Sequence, residues 1–228
     1  MERVIAIGLF AACLTWGSLA HAQDAPAPST TPPSLTLSAP DRLGAVDADR
    51  LAALRLAHRE ARTSEGIVLL GYGLASIVAG VLAAGIGNQD ERWLALGLGT
   101  AGWGAINALF SVFLFDLGNG RLRDIESGRS LRGDGLDRAR EDWAADQYST
   151  AALIAVNAGL DIFYLATGIL LFIIGDQMAP DLQALQGYGI AMAAQGTGLL
   201  AYDLTTWIAA TQRGDQARTL FRDPAGTP

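Results

Sequence analysis

The chain has 228 residues, half of them apolar, and a mean hydropathy of +0.27. Its net charge of −7 comes from 23 acids against 16 bases, and every base is Arg. So much apolar content argues against an ordinary soluble domain, and acidic loops argue against a nucleic-acid partner, because phosphate binding needs basic surface.

Residues 1–22 read as a signal peptide: Arg3, an apolar stretch from Val4 to Leu14, then Ala20-His21-Ala22 as a cleavage site. Cys13 is the single cysteine and lies in that leader, so disulfides and thiolate metal sites are not expected. His21 lies there too. The remaining His58 sits beside Arg59 and Glu60 and reads as a solvated helix residue, so neither a metal nor a cofactor is expected.

Residues 23–40 are rich in Pro, Ser, Thr and Ala and read as disordered. Residues 41–65 predict an amphipathic helix on the membrane surface, with Leu43, Val46, Leu54, Ala57 and Ala61 on one side and five Arg over the rest. Four apolar runs follow, at 66–87, 93–115, 151–174 and 185–210. Each is long enough for the ~20 residues that a bilayer core requires. The short loops at 88–92 and 176–184 make each consecutive pair an antiparallel hairpin. Residues 136–147, with Leu136, Ala139, Trp143 and Gln147 on one side, predict a second interfacial helix. Residues 211–228 read as a flexible tail. The expected fold is therefore all-α: a polytopic membrane protein with a four-helix transmembrane domain over 66–210, in two antiparallel hairpins, plus flanking amphipathic helices.

The hairpins resemble each other. At an offset of 88, Gly71, Gly80-Val81-Leu82 and Gly87-Asn88-Gln89 match Gly159, Gly168-Ile169-Leu170 and Gly175-Asp176-Gln177. At an offset of 92, Gly97, Gly104, Phe110 and Phe115 match Gly189, Gly196, Tyr202 and Trp207. Both hairpins enter from one side, so this is a parallel repeat.

Two topology signals disagree. A signal peptide places the mature N-terminus in the periplasm of a bacterial inner membrane. Yet five Arg before the first run, six in the middle loop and three in the tail share that side, against Arg92 on the other. The positive-inside rule would put those Arg in the cytoplasm. The leader commits the chain first and is followed here.

Gly66, Gly73, Gly80 and Gly87 recur every seven residues and predict a groove for close helix packing. Gly97-x-Gly99-x-x-Gly102 matches a dinucleotide fingerprint only formally, since that motif works between a strand and a helix.

Polar residues inside the apolar runs are more informative. Charged groups there usually face a bundle interior. With ~1.5 Å rise per residue, Asn107 lies ~12 Å from the outer end of its run, Asp161 ~15 Å and Asp203 ~10 Å. Asn157 falls at ~9 Å and Ser111 at ~6 Å, while Gln195 and Tyr164 lie deeper, at ~20 Å or more. The expected buried polar cluster is Asn107, Asn157, Asp161, Tyr164, Gln195 and Asp203. It serves either to fix helix register or to bind a proton, a cation or another small polar ligand.

An intramembrane aspartyl hydrolase is the remote alternative. Tyr202-Asp203 and Gly159-Leu160-Asp161 echo that pattern, but one Gly is missing, the order is reversed and the helices are too few. No catalytic residue is assigned and no enzyme is expected.

Asn157-Ala158-Gly159-Leu160-Asp161-x-x-Tyr164-x-x-x-Gly168, Gly187-Tyr188-Gly189, Gln195-Gly196 and Leu199-Leu200-x-x-Asp203 resemble an uncharacterised family of small bacterial membrane proteins, a domain of unknown function. Trp103-Gly104-x-x-Asn107 is similar to that family's Trp-Asn-x-x-Asn step, with Gly104 where the pattern has Asn. The resemblance spans about Ala61 to Trp207. It implies four helices behind a signal peptide and no particular activity. The leading functional expectation is a structural or accessory subunit in the lipid bilayer that self-associates or joins a membrane partner through its Gly-rich faces. The alternative is a proton- or cation-binding transport or sensing protein using Asp161 and Asp203.

Overall fold

A computed structural model describes residues 39–87, 89–178 and 181–219. The expected signal peptide and almost all of the Pro-rich segment lie outside the described residues, as do residues 220–228. The described chain is helical without strands. The elements are α1 (Ala39–Ile86), α2 (Glu91–Ser111) with a 3-10 turn at Val112–Leu114, α3 (Gly120–Gly128), α4 (Asp134–Ile173) with a π-helical turn at Ile174–Met178, and α5 (Gln183–Thr219).

Local chemistry sets the starts. The Asp90 carboxylate caps α2 by accepting from the amides of Arg92 (2.9 Å) and Trp93 (3.4 Å). Gly133, at φ 52°, turns the chain into α4, where Asp134 and Asp137 complement the helix dipole in the first turn.

Hydropathy changes sharply at Gly66 and at Ala151, but nothing there breaks the backbone. The amphipathic stretches at 41–65 and 136–147 are therefore not separate surface helices, a correction to the sequence reading. They are the N-terminal parts of α1 and α4. With 48 and 40 residues, these helices run about 72 and 60 Å, twice a ~30 Å hydrocarbon core. Their polar ends gather into a head. Ala48 and Leu51 of α1, Leu136, Trp143 and Ala144 of α4 and Ala217 of α5 form its buried core. Over residues 211–219 the expected flexible tail is likewise corrected, because α5 continues to Thr219. Tyr148 fastens that end: its hydroxyl bonds Asp215, Gly214 lies against its ring, and the Arg218 guanidinium sits 4.4 Å above the ring centre.

Three helices are long and apolar enough to cross a membrane: α1, α2 and α4. Among the described residues α5 does not meet that measure, since Gln186, Gln195, Thr197, Asp203, Thr205 and Thr206 dilute its hydropathy.

Glycines set the packing. A Cβ on Gly73 would lie 2.6 Å from the Ala108 amide nitrogen, and one on Gly80 would lie 2.5 Å from that of Ala101. The register descends along α2 as it climbs along α1, so the two run antiparallel. The same contacts recur between α4 and α5. Gly80 meets Gly97 and Ala101; Gly168 meets Gly189 and Ala193. Gly104 meets Gly73 and Ile77; Gly196 meets Asp161 and Leu165. Each pair of contacts is related by the sequence offsets of 88 and 92. The repeat extends between the halves. Gln195 reaches Ser76, and Trp103 packs on Tyr164, which are the same two positions exchanged. Gly99 of α2 faces its own counterpart, Ala191 of α5. The two helix pairs are thus related by a pseudo-two-fold through the α2–α5 contact, with α1 and α4 outside.

Candidate functional site

Asp161 on α4 and Asp203 on α5 face each other at that second interface. Over residues 147–168, α4 buries Gln147, Ala151, Ala158, Asp161 and Gly168, and α5 lies along this face. Asp161 is only 4% exposed, and Asp203 is half-buried. Their carboxyls lie close enough to act on each other. Ionised carboxylates only accept, so a hydrogen bond between the two would need a proton. The Oδ2 atom of Asp161 is buried and has no partner. No Arg lies in any of the four apolar runs, so neither acid has a cation beside it within the bundle.

The repeat shows what is unusual here. Asp161 occupies the place that Gly73 holds in the first pair, and Asp203 the place of Ser111. In the first pair, Ser111 is fully buried and its hydroxyl donates to the Ala108 carbonyl at 2.7 Å. One half of the pseudo-symmetric bundle is closed by small residues, and the other holds two acids.

A second polar group bridges three helices. Asn107 Nδ2 donates to Gln195 Oε1 at 3.2 Å, and Gln195 Nε2 donates to Ser76 Oγ at 3.1 Å. All three side chains are buried. The sequence reading separated Asn107 and Gln195 by depth. The structure joins them, because the apolar runs do not begin at one level and Gln195 has a long side chain. Asn107 turns to Gln195 rather than to Ser111, four residues on. Ser76 escaped notice as a lone hydroxyl in an apolar run. Its match with Tyr164 at the offset of 88 is the signal that points to it. Tyr164 itself is half-buried, with its ring 5.0 Å from that of Trp103.

Asn157 does not join either group. It is exposed, on the flank of the α4 face that meets α5, because the buried stripe runs through Ala158 rather than through the residue before it. The expectation of a buried Asn157 is corrected on this ground.

The four glycines are used within the chain. Gly66 lies against Leu114 and Phe115, Gly73 and Gly80 against the α2 backbone, and Gly87 against Trp93.

His58 is not a solvated residue. It lies in the head, its ring centre 6.0 Å from that of Trp143 and its Nε2 3.4 Å from Gln147 Nε2. Burial, with Arg213, Arg62 and Arg121 nearby, pushes its pKa down from 6.5 to about 3. Among the described residues no three His, Cys, Asp or Glu side chains gather as a metal site.

No curated protein and no solved structure matches the chain. A family model covers residues 68–204, the stretch that holds both helix pairs and every polar residue of the two groups above: the chain belongs to DUF6992, a family of unknown function.

Proposed function

We propose that the protein crosses a bacterial inner membrane four times and that its Asp161–Asp203 pair takes up a proton or a monovalent cation. The observation that carries this is the buried, unpartnered Oδ2 of Asp161 beside a second carboxyl. Buried polar atoms are nearly always satisfied. A carboxyl pair holding one proton retains a negative charge, and that charge needs a counter-ion or a second proton in a low-dielectric interior. Two carboxylates are too few for a divalent cage built from protein alone. This is a binding reading, with no catalysis.

The fourth crossing is supported by two features. The end of α5 packs in the head beside the start of α4, so a chain that leaves through α4 must return. And α5 is the repeat counterpart of α2, which has the length and hydropathy to span.

The test is difference infrared spectroscopy of the reconstituted protein, following the carboxylic-acid carbonyl band against pH and cation concentration. The wild type should show a titrating carboxyl that Asp161→Asn and Asp203→Asn each remove with helicity unchanged. A wild type with no titrating carboxyl sensitive to these variants would sink the proposal. A structural role in an accessory subunit is the second reading, favoured by the closed Ser76–Gln195–Asn107 network. It predicts that both Asn variants behave like the wild type.

A further inference from the structure

We infer that Arg62, Arg213 and Arg121 hold one phosphate group at the polar end of the bundle, supplied by an anionic phospholipid. The inference rests on the membrane placement proposed above, though not on the acid pair.

The three arginines come from three elements. Arg62 lies one turn before Gly66 on α1. Arg213 lies just past Ala210 on α5. Arg121 opens α3, where its guanidinium donates to the Leu114 carbonyl at 3.1 Å and approaches that of Phe113 at 3.5 Å. Gly66 lies against Leu114, whose carbonyl takes Arg121, and Glu65 beside Gly66 pairs with Arg213. The three arginines therefore meet where the apolar runs end, the level proposed for lipid phosphates, and all three charges are felt at His58.

The charges do not balance. Glu65 pairs with Arg213 at 3.4 Å, and Asp116 pairs with Arg59 at 2.9 Å. Glu65 also attracts Arg62, and Asp116, ahead of Asp146, attracts Arg121. Four arginines thus share these three carboxylates, and Arg62 is the least well matched. It makes no ion pair or hydrogen bond among the described residues, and its Nε is buried without a partner, as is that of Arg213. His58 is neutral and adds no charge. A half-buried guanidinium that only shares a counter-charge is costly, and a planar fork of donors suits phosphate oxygens. One phosphodiester carries the single negative charge that is missing. Basic clefts between helices at the membrane surface take lipid head groups in this way.

Native mass spectrometry of the full chain, released from nanodiscs of mixed phosphatidylglycerol and phosphatidylcholine, counts the lipids that stay bound. The wild type should retain one phosphatidylglycerol in preference to phosphatidylcholine. Arg62→Gln should weaken that preference about fivefold, and Arg62→Lys should keep part of it. Arg129→Gln removes the same charge from an exposed site paired with Asp49 and should leave the preference intact. Thermal melts in detergent with inorganic phosphate separate the sources. Saturable stabilisation by phosphate, lost in Arg62→Gln, with no lipid preference, keeps the phosphate site and makes the ligand soluble. The inference is overturned if Arg62→Gln retains the wild-type lipid preference, or if Arg129→Gln loses as much. Side-specific labelling checks the membrane placement separately, so its failure is distinguishable from failure of the site.

Discussion

Replacing Gly80 with Ala sets two effects of known size against each other. An Ala Cβ would stand 2.5 Å from both the Ala101 amide nitrogen and the Gly97 carbonyl oxygen. Both are backbone atoms of a neighbouring helix, so neither can swing aside. Ordinary contact begins near 3.4 Å, so α1 and α2 must part by about 1 Å, a gap that forfeits a quarter to a half of the dispersion energy along the seam. Forcing a methyl into a filled site costs about 1–3 kcal/mol. The same substitution gains ~1 kcal/mol in helix propensity. With backbone atoms on both sides the clash falls at the upper end of that range, leaving a net loss of roughly 2 kcal/mol. Gly85→Ala in the same helix is the control. Nothing lies within 4 Å of its Cβ position, so only the propensity gain of up to ~1 kcal/mol remains.

Equilibrium unfolding in mixed micelles, followed by circular dichroism, measures both. The repeat adds a further expectation. Gly168→Ala meets Ala193 and Gly189 at 2.5 and 2.7 Å and should lose about as much as Gly80→Ala. The double variant Gly80→Ala with Gly97→Ala should lose less than the sum, since one separation relieves both clashes. A Gly80→Ala protein as stable as the wild type, or a Gly85→Ala protein equally weakened, would refute the packing argument.

Gln195→Leu leaves Asn107 and Ser76 buried without partners. It should lose about 1–3 kcal/mol in the same unfolding assay, whereas Asn157→Leu, at an exposed position, should lose nothing. The head should weaken in acid. The folded pKa of His58 is depressed to about 3 from 6.5, so its contribution is complete above pH 6.5 and drains away as pH falls toward 3. Asp116 acts in the same direction over a lower window. The hydrogen bond from Arg59 chiefly, and the amides of Arg121 and Leu122, hold its carboxyl below the ordinary 3.8. Its contribution is lost as pH falls through that lowered value. Melting temperatures against pH should decline below pH 6.5 in the wild type and decline less in His58→Gln.

Helix content and the apolar runs were legible because hydropathy and the absence of Pro speak directly in sequence. The duplication was legible too, in glycines that could have matched by chance, and the contacts at Gly80 and Gly168 now give those matches a physical cause. Hydropathy could not say where a helix ends. A polar stretch such as 41–65 continues α1 as readily as it could lie flat, and only packing against Leu136 and Trp143 decides. Helical spacing placed Asn157 and Asp161 within 40° of each other, too close for sequence to tell which side of the buried edge each would take. Ser76 was hidden because one hydroxyl barely moves a hydropathy average.

The proposed crossing of α5 turns on where its polar side chains sit. Gln186 and Gln195 lower its hydropathy, yet both are buried against neighbouring helices, where lipid would not meet them. An average over the helix counts them as though it did. Residues 89 and 181 lie at one end of the helix pairs, and residues 130 and 216 in or beside the head at the other. In a chain with Cys13 replaced, cysteines introduced one at a time as Gln89→Cys, Ser130→Cys, Asp181→Cys and Gln216→Cys can be labelled with an impermeant maleimide in intact cells and in inverted vesicles. Four crossings require that 130 and 216 label from one side and 89 and 181 from the other. If the leader sets orientation, the outward pair is 130 and 216; if the fourteen arginines on that side do, it is 89 and 181. Labelling of 181 and 216 from the same side would mean that α5 does not cross. The head could not then form across the bilayer, and the pairing of Asp161 with Asp203 would fall with it.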